Sequence, residues 1–190
     1  MSKSAVLPSM RNLRQYLLVL ILLVGCSPTM KAQQVIEDWG HGIQIGLPLS
    51  ALVLSAAHKD KEGAVQLIKS FAVESATVVI LKRAINRRRP NGGQYSFPSG
   101  HTALAFMSAT YVWKRYGYKW GIPAAALASF VGYSRAGIDE PVHYYSDVLA
   151  GAAIGILGSY IFTKKREGMD IQVDGSTSHV GIRLRWNISD

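Results

Sequence analysis

The sequence predicts an all-α, membrane-embedded bundle of about five to six helices with a short C-terminal β-hairpin-like tail. Three observations carry that expectation. Charged residues make up only 17% of the 190, against roughly 25% in soluble proteins. Five apolar segments, roughly 43–57, 64–81, 102–113, 122–133 and 148–162, are dominated by Ala, Leu and Gly and lack period-2 alternation, so helix is favoured over strand. The basic residues between them also alternate from one side to the other. Mean hydropathy is +0.12, high for a soluble enzyme and low for a polytopic one. A compact soluble helical domain is therefore the competing fold.

The N-terminus opens with Lys3, Arg11 and Arg14 ahead of the apolar run Leu17 to Val24. This is the layout of an export signal, and the run is too short for a bilayer core that needs about 20 residues. Leu23-Val24-Gly25-Cys26 looks like a bacterial lipobox, with acylation of Cys26 as one outcome and cleavage nearer Ala32-Gln33 as the other. The expected organisation is a signal or anchor over 1–33, a helical domain over 34–167 and a tail over 168–190. The expected address is the bacterial inner membrane. Cys26 is the single cysteine, which excludes a disulfide framework and a multi-cysteine zinc site.

If each segment crosses once, Lys59, Lys61, Lys114, Arg115, Lys119, Lys164, Lys165 and Arg166 all fall on the cytoplasmic side. That is the positive-inside pattern. Residues 82–101 and 135–143 then meet on the outer, periplasmic side. Trp39, Trp113, Tyr116 and Trp120 lie near the interfaces, and Pro48 and Pro123 near segment starts, where proline is tolerated. In the tail, Ile171 and Val173, then Val180, Ile182, Leu184 and Trp186, alternate around Asp174-Gly175-Ser176, as in a hairpin.

Three polar clusters share the outer side. Lys82 and Arg89 are two helical turns apart with Asn86 between them, and Pro90 ends the helix at Arg89. Taken alone, such a cluster is more often a snorkelling basic anchor, and Arg83, Arg87 and Arg88 read as anchors or headgroup contacts. Pro98-Ser99-Gly100-His101-Thr102 opens the next helix, with Ser99 as N-cap and free N–H groups that favour an anion. Seen alone, it is equally a plain helix start. Ser134-Arg135 precedes His143-Tyr144-Tyr145-Ser146-Asp147. On a helix His143 and Asp147 are i,i+4 neighbours, and a carboxylate on one imidazole nitrogen leaves the other as nucleophile or base. The plainer role for Ser146 or Asp147 is to cap the last helix. Together the three clusters offer charge neutralisation, a nucleophile and an acid, the requirements of phosphoryl transfer.

In these three motifs the chain resembles the type 2 phosphatidic acid phosphatase superfamily, which also holds bacterial acid phosphatases and vanadium haloperoxidases. The family pattern is Lys-x6-Arg-Pro, Pro-Ser-Gly-His and Ser-Arg-x5-His-x3-Asp. Lys82 to Arg89-Pro90 matches the first, and Pro98-Ser99-Gly100-His101 the second. Ser134-Arg135 and His143-x3-Asp147 match the third, except that seven residues rather than five separate Arg135 from His143. The extra pair lies among Gly137–Val142. The resemblance covers roughly residues 38–166. It implies that His143 is a nucleophile forming a phosphohistidine, that Asp147 orients it, and that His101 is the general acid. It implies phosphate binding by Lys82, Arg89, Arg135, Ser99 and Gly100, with no metal and no cofactor.

The expected function is removal of phosphate from a membrane lipid phosphate or diphosphate: phosphatidic acid, phosphatidylglycerophosphate, an isoprenyl diphosphate or lipid A. The expected partners are thus a phosphorylated lipid and the membrane. Alternatives are a periplasmic acid phosphatase acting on small soluble monoesters, a vanadate-loaded haloperoxidase and a non-catalytic lipid binder. The net charge of +9 suits phosphorylated substrates or a membrane surface. Nucleic acid is a poor fit, because the basic residues split between two faces rather than forming one stripe. Arg87 and Arg88 are candidates for contacting a second phosphate.

Overall fold

The computed structural model describes residues 32–138, 141–166, 170–176 and 179–185. Two compact units divide after Val35. The first, Met1–Val35, enters the description only through its last four residues; Cys26 and the export signal lie outside it. The second, Ile36–Asp190, holds the architecture described below.

Five helices run in chain order: α1 Ala32–Ala57, α2 Lys61–Ile85, α3 Gly100–Tyr116, α4 Tyr118–Ala136 and α5 Tyr145–Phe162. Each of the five apolar segments is helical, and each helix outruns its apolar stretch. Three stretches, Gln33–Ala57, Lys61–Ile85 and Tyr145–Phe162, are long and apolar enough to cross a membrane.

The bundle interior is rich in small residues, and many large apolar ones face outward. Ala51, Ala103, Ala105, Ala128, Ser70 and Ser108 are fully buried, whereas Val53, Ile68, Ile80, Leu149, Leu157 and Ile161 are exposed. Lipid tails are as apolar as leucine, so helices there gain from close backbone approach rather than from hiding large side chains. The central element is α3, which packs against α2, α4 and α5. At Gly151 and Gly155 of α5 an added Cβ would run into the backbone carbonyls of Ser99 and Ala103. These two glycines let α5 lie directly on the start of α3.

At the end of the bundle away from residues 82–101, a buried polar network joins four helix ends. Asp60 caps α2, accepting from the Gly63 N–H at 2.9 Å. Arg115, at the end of α3, donates to both Asp60 oxygens at 2.7 and 2.6 Å and to the Lys164 carbonyl at 3.0 Å. Tyr116 donates to Asp60 at 2.9 Å, and its hydroxyl lies 3.1 Å from that of Ser55 on α1. Arg115 holds the Asp60 carboxyl well below the usual carboxylate range. Among the basic residues at this end, Arg115 is thus a buried, bidentate partner of Asp60.

Three local expectations need correction. The α2 helix ends at Ile85, not Arg89, because Asn86 adopts a left-handed conformation (φ 42, ψ 45) and serves as its C-cap. Asparagine tolerates that geometry, and its N–H still bonds the Lys82 carbonyl. Pro48 lies inside α1 and Pro123 inside α4, not at helix starts. In the tail, Asp170–Ser176 and His179–Arg185 form the antiparallel pair β1 and β2. Ser176 pairs with His179, so Asp174-Gly175-Ser176 belongs to a strand rather than the turn. The register places Ile171 opposite Leu184 and Val173 opposite Ile182. Trp186 lies outside the described residues.

Candidate active site

The opposite end of the bundle collects the end of α2, the loop 86–99, the starts of α3 and α5, the end of α4 and the first turns of α1. All eight residues singled out from the sequence lie here. Gly100 is at the start of α3, where its missing side chain leaves room beside the Lys82 stem. The Ser99 N–H donates to the Asp147 carbonyl at 3.0 Å, joining the starts of α3 and α5. The His143 N–H donates to the Arg135 carbonyl at 3.0 Å. That bond returns the chain to the site after the longer stretch following Arg135. Asp139 and Glu140 lie outside the described residues.

Arg89 arrives from the loop, not along the helical face shared with Lys82. Its Nε donates to the Gln94 carbonyl at 3.1 Å, and its backbone N–H to Gly93 at 2.7 Å. Lys82 Nζ donates to the Tyr95 carbonyl at 2.8 Å. Ser99 occupies the N-cap position of α3, yet its hydroxyl makes no capping bond; it is fully buried and bonds Thr102 Oγ1 at 3.0 Å.

His143 also differs from the i,i+4 helical pair expected. It precedes α5, whose N-cap is Tyr144. Asp147, the third residue of α5, accepts the Tyr144 N–H at 3.0 Å and is fully buried. The His143 Nδ1 to Asp147 Oδ2 distance is 3.5 Å. Ser96 stands between them: its hydroxyl donates to Asp147 Oδ2 at 2.5 Å, and its oxygen lies 3.4 Å from His143 Nδ1. An Nδ1–H tautomer satisfies both oxygens and leaves Nε2 with its lone pair free. Burial, with Arg89 and Lys82 nearby, pushes the His143 ring down to about 4. It is neutral at pH 7.

Arg87 is likewise more than an anchor. Its Nη1 donates to Asp147 Oδ1 at 3.0 Å and to Ser146 Oγ at 2.8 Å, and its guanidinium lies 4.0 Å from the Tyr144 ring centre. Its Nη1 takes the carboxylate oxygen that Ser96 and Tyr144 leave free.

Arg135 presents the opposite situation. It is 4% exposed, and among the described residues its Nε and Nη1 have no hydrogen-bond partner. A buried guanidinium without an acceptor costs several kcal/mol. Such a group is the mark of a site built for an anion. Arg89, His41 and His143 all lie close enough to His101 for their fields to reach its ring, as does Arg135. His101 is half-buried, and its Nε2 lies 2.9 Å from Nδ1 of His41 on α1.

Ser96 and His41 are the residues that sequence reading missed, and the Arg87 contact with Asp147 was not foreseen. Ser96 had a signal in standing three residues before Ser99. His41 had none, being a lone histidine in a polar lead-in.

A helical bundle that gathers two histidines, a buried aspartate and an orphan arginine at one end defines a class: a helical protein with a built oxyanion site. The PAP2 superfamily pattern matches residues 63–168, and the chain belongs to that family. Similarity extends to particular members. The lipid A 4'-phosphatase of Helicobacter pylori is 28% identical over 171 residues, covering 82% of this chain and 85% of that protein. The lipid A 1-phosphatase of Porphyromonas gingivalis is 45% identical over 80 residues, covering 40% of this chain. The match spans only 18% of the P. gingivalis protein. The crystal structure of Aquifex aeolicus LpxE superposes with a TM-score of 0.60 at 26% identity, over 76% of this chain and 92% of that one.

Proposed function

We propose that this chain is a membrane lipid phosphatase working through a phosphohistidine, with a lipid A phosphate as its foremost substrate. The observation that carries the reading is Arg135, buried and without an acceptor beside a neutral histidine. A phosphate supplies the missing acceptors. The relatives named as lipid A phosphatases favour that lipid over phosphatidic acid, phosphatidylglycerophosphate and isoprenyl diphosphates.

The proposed steps use the side chains gathered at this end of the bundle. Lys82, Arg89, Arg135 and the first N–H groups of α3 hold the phosphate oxygens, Gly100 admits them to the backbone and buried Ser99 shapes that turn. His143 Nε2 attacks phosphorus in line while Nδ1–H is held by Asp147 and Ser96. The P–O bond to the lipid breaks, and the leaving oxygen takes a proton from His101. Water then attacks the phosphohistidine with His101 as base, releasing phosphate and the free histidine. The reading places the catalytic end on the periplasmic face of the inner membrane, with 34–167 as the catalytic domain, 1–33 as its export signal or anchor and 168–190 as an appended tail.

The test is phosphate release by detergent-solubilised protein across a panel: lipid A, phosphatidic acid, phosphatidylglycerophosphate, an isoprenyl diphosphate and p-nitrophenyl phosphate. Turnover of lipid A ahead of the others, lost in His143→Ala, is the expected result. Preference for the small aryl ester would instead make this a soluble-monoester phosphatase.

A further inference from the structure

We propose that His41 is a proton-relay residue, coupling the His101 ring to solvent through a direct imidazole–imidazole hydrogen bond. The inference rests on the phosphatase reading above and deepens its acid–base half.

The contact is specific. His101 Nε2 and His41 Nδ1 are 2.9 Å apart, with ring centres 4.6 Å apart and planes inclined at 73°. His41 is exposed, whereas His101 is half-buried. The approach depends on α1 lying hard against the end of α4: at Gly40 an added Cβ would strike the Ser134 side chain. The residue next to His41 is thus the one that lets it reach the site.

Ring chemistry sets the roles. With Nε2 engaged by His41, only Nδ1 of His101 remains for substrate. A neutral His101 that donates from Nδ1 must accept at Nε2, so His41 must hold its proton on Nδ1 and leave its own Nε2 to water. When the P–O bond breaks, the leaving oxygen takes the His101 Nδ1 proton. His101 Nε2 takes the His41 Nδ1 proton, and His41 Nε2 takes one from water. Both rings are then neutral in the other tautomer, and His101 Nδ1 is now a base. In the second half-reaction it takes the proton of the attacking water, and the chain of transfers runs backward to release one proton to solvent. One proton enters and one leaves per turnover. The pair alternates between the acid and base forms that the two half-reactions require.

The surroundings favour such a relay over an imidazolium. Arg135 from α4 and Arg89 from the loop are cationic, and His143 is the other titratable group near the His101 ring. Glu37, one turn before His41 on α1, is the acidic group whose field reaches Arg135. A relay moves the proton without placing a full positive charge between two arginines. A merely structural hydrogen bond would hold His101 but would carry nothing.

The experiment uses the full-length protein in detergent and the fastest substrate of the panel. For His41→Ala, kcat should fall about 10- to 100-fold with KM within about twofold. Added imidazole should restore a substantial part of that loss. His41→Asn keeps a donor at the Nδ1 position but cannot relay, so it should be as slow as His41→Ala. In wild type, single-turnover rates across H2O–D2O mixtures should bow downward, as more than one proton in flight requires. That measurement needs no variant to fold. A wild-type protein with a linear dependence on deuterium, or a His41→Asn variant with wild-type kcat, overturns the relay alone. A wild-type protein that turns over nothing in the panel overturns the phosphatase reading and the relay together.

Discussion

The two ends of the bundle each bury an arginine, at nearly equal depth: Arg115 is 5% exposed and Arg135 is 4% exposed. Their surroundings differ completely. Arg115 grips both oxygens of Asp60 and the carbonyl of Lys164, with Tyr116 and Ser55 completing the network. Among the described residues, two nitrogens of Arg135 have no acceptor. Desolvation of a guanidinium is costly in either place. At one end the cost is offset by a partner in the same chain, and the result is a clasp. At the other no described residue offsets it, which is what the proposed phosphate site calls for. Burial of a charge does not by itself announce function; burial without a partner does.

The largest effect that tests this contrast is His143→Ala, which should cut lipid phosphate release more than about a thousandfold while leaving the thermal midpoint near wild type. Loss of folding instead would mean that the catalytic end is structural too. Next come the two arginines. Arg115→Met should destabilise the detergent-solubilised protein by about 3–5 kcal/mol, since it strands buried Asp60. The fraction that remains folded should keep its kcat. Arg135→Met should do the reverse: kcat/KM falls roughly a hundred- to a thousandfold, and stability does not drop. Thermal shifts with added phosphate sharpen the distinction. Phosphate should stabilise wild type and Arg115→Met, by about 2.7 kcal/mol at a hundred times its Kd, and should have no effect on Arg135→Met. Equal responses in both variants would erase the contrast.

Ser96→Ala should be milder. It removes one hydroxyl from between Asp147 and His143, so kcat should drop about tenfold, on the order of one lost hydrogen bond, with KM unchanged. The smallest effect is a displacement of the pH profile. His143 is held down to about 4 by burial and by Arg89 and Lys82. The neutral, nucleophilic ring is present above that value and is lost as pH falls through it. The acid limb of kcat/KM should therefore lie near pH 4. A limb near 6.5, where a free imidazole titrates, would mean that these surroundings do not act on His143.

Much of this was legible from the chain alone, for physical reasons. Ala-, Leu- and Gly-rich segments without alternation have few other ways to satisfy their backbone in an apolar setting than to coil. Lys82, Arg89, Ser99, Gly100, His101, Arg135, His143 and Asp147 could be singled out because each carries a side chain or backbone freedom of known use, at a recognisable spacing, and the fold brings them to one end of the bundle. What misled was local geometry. Asn86 turned left-handed and released Arg89 into the loop. Asp147 capped α5 rather than sharing a full helical turn with His143. Ser96 and His41 were passed over, and the Asp147 partner of Arg87 was not foreseen, because a serine, one arginine among several and a lone histidine mean little until a partner stands within about 3 Å.

The sequence by itself determined the helical class and the chemical types gathered at one end of the bundle, since hydropathy, charge and motif spacing are properties of the one-dimensional chain. Only the tertiary structure decided which arginine is paired and which is open, and which histidine stands behind His101. Those outcomes depend on approach distances between helices far apart in sequence, set by glycines at Gly40, Gly151 and Gly155.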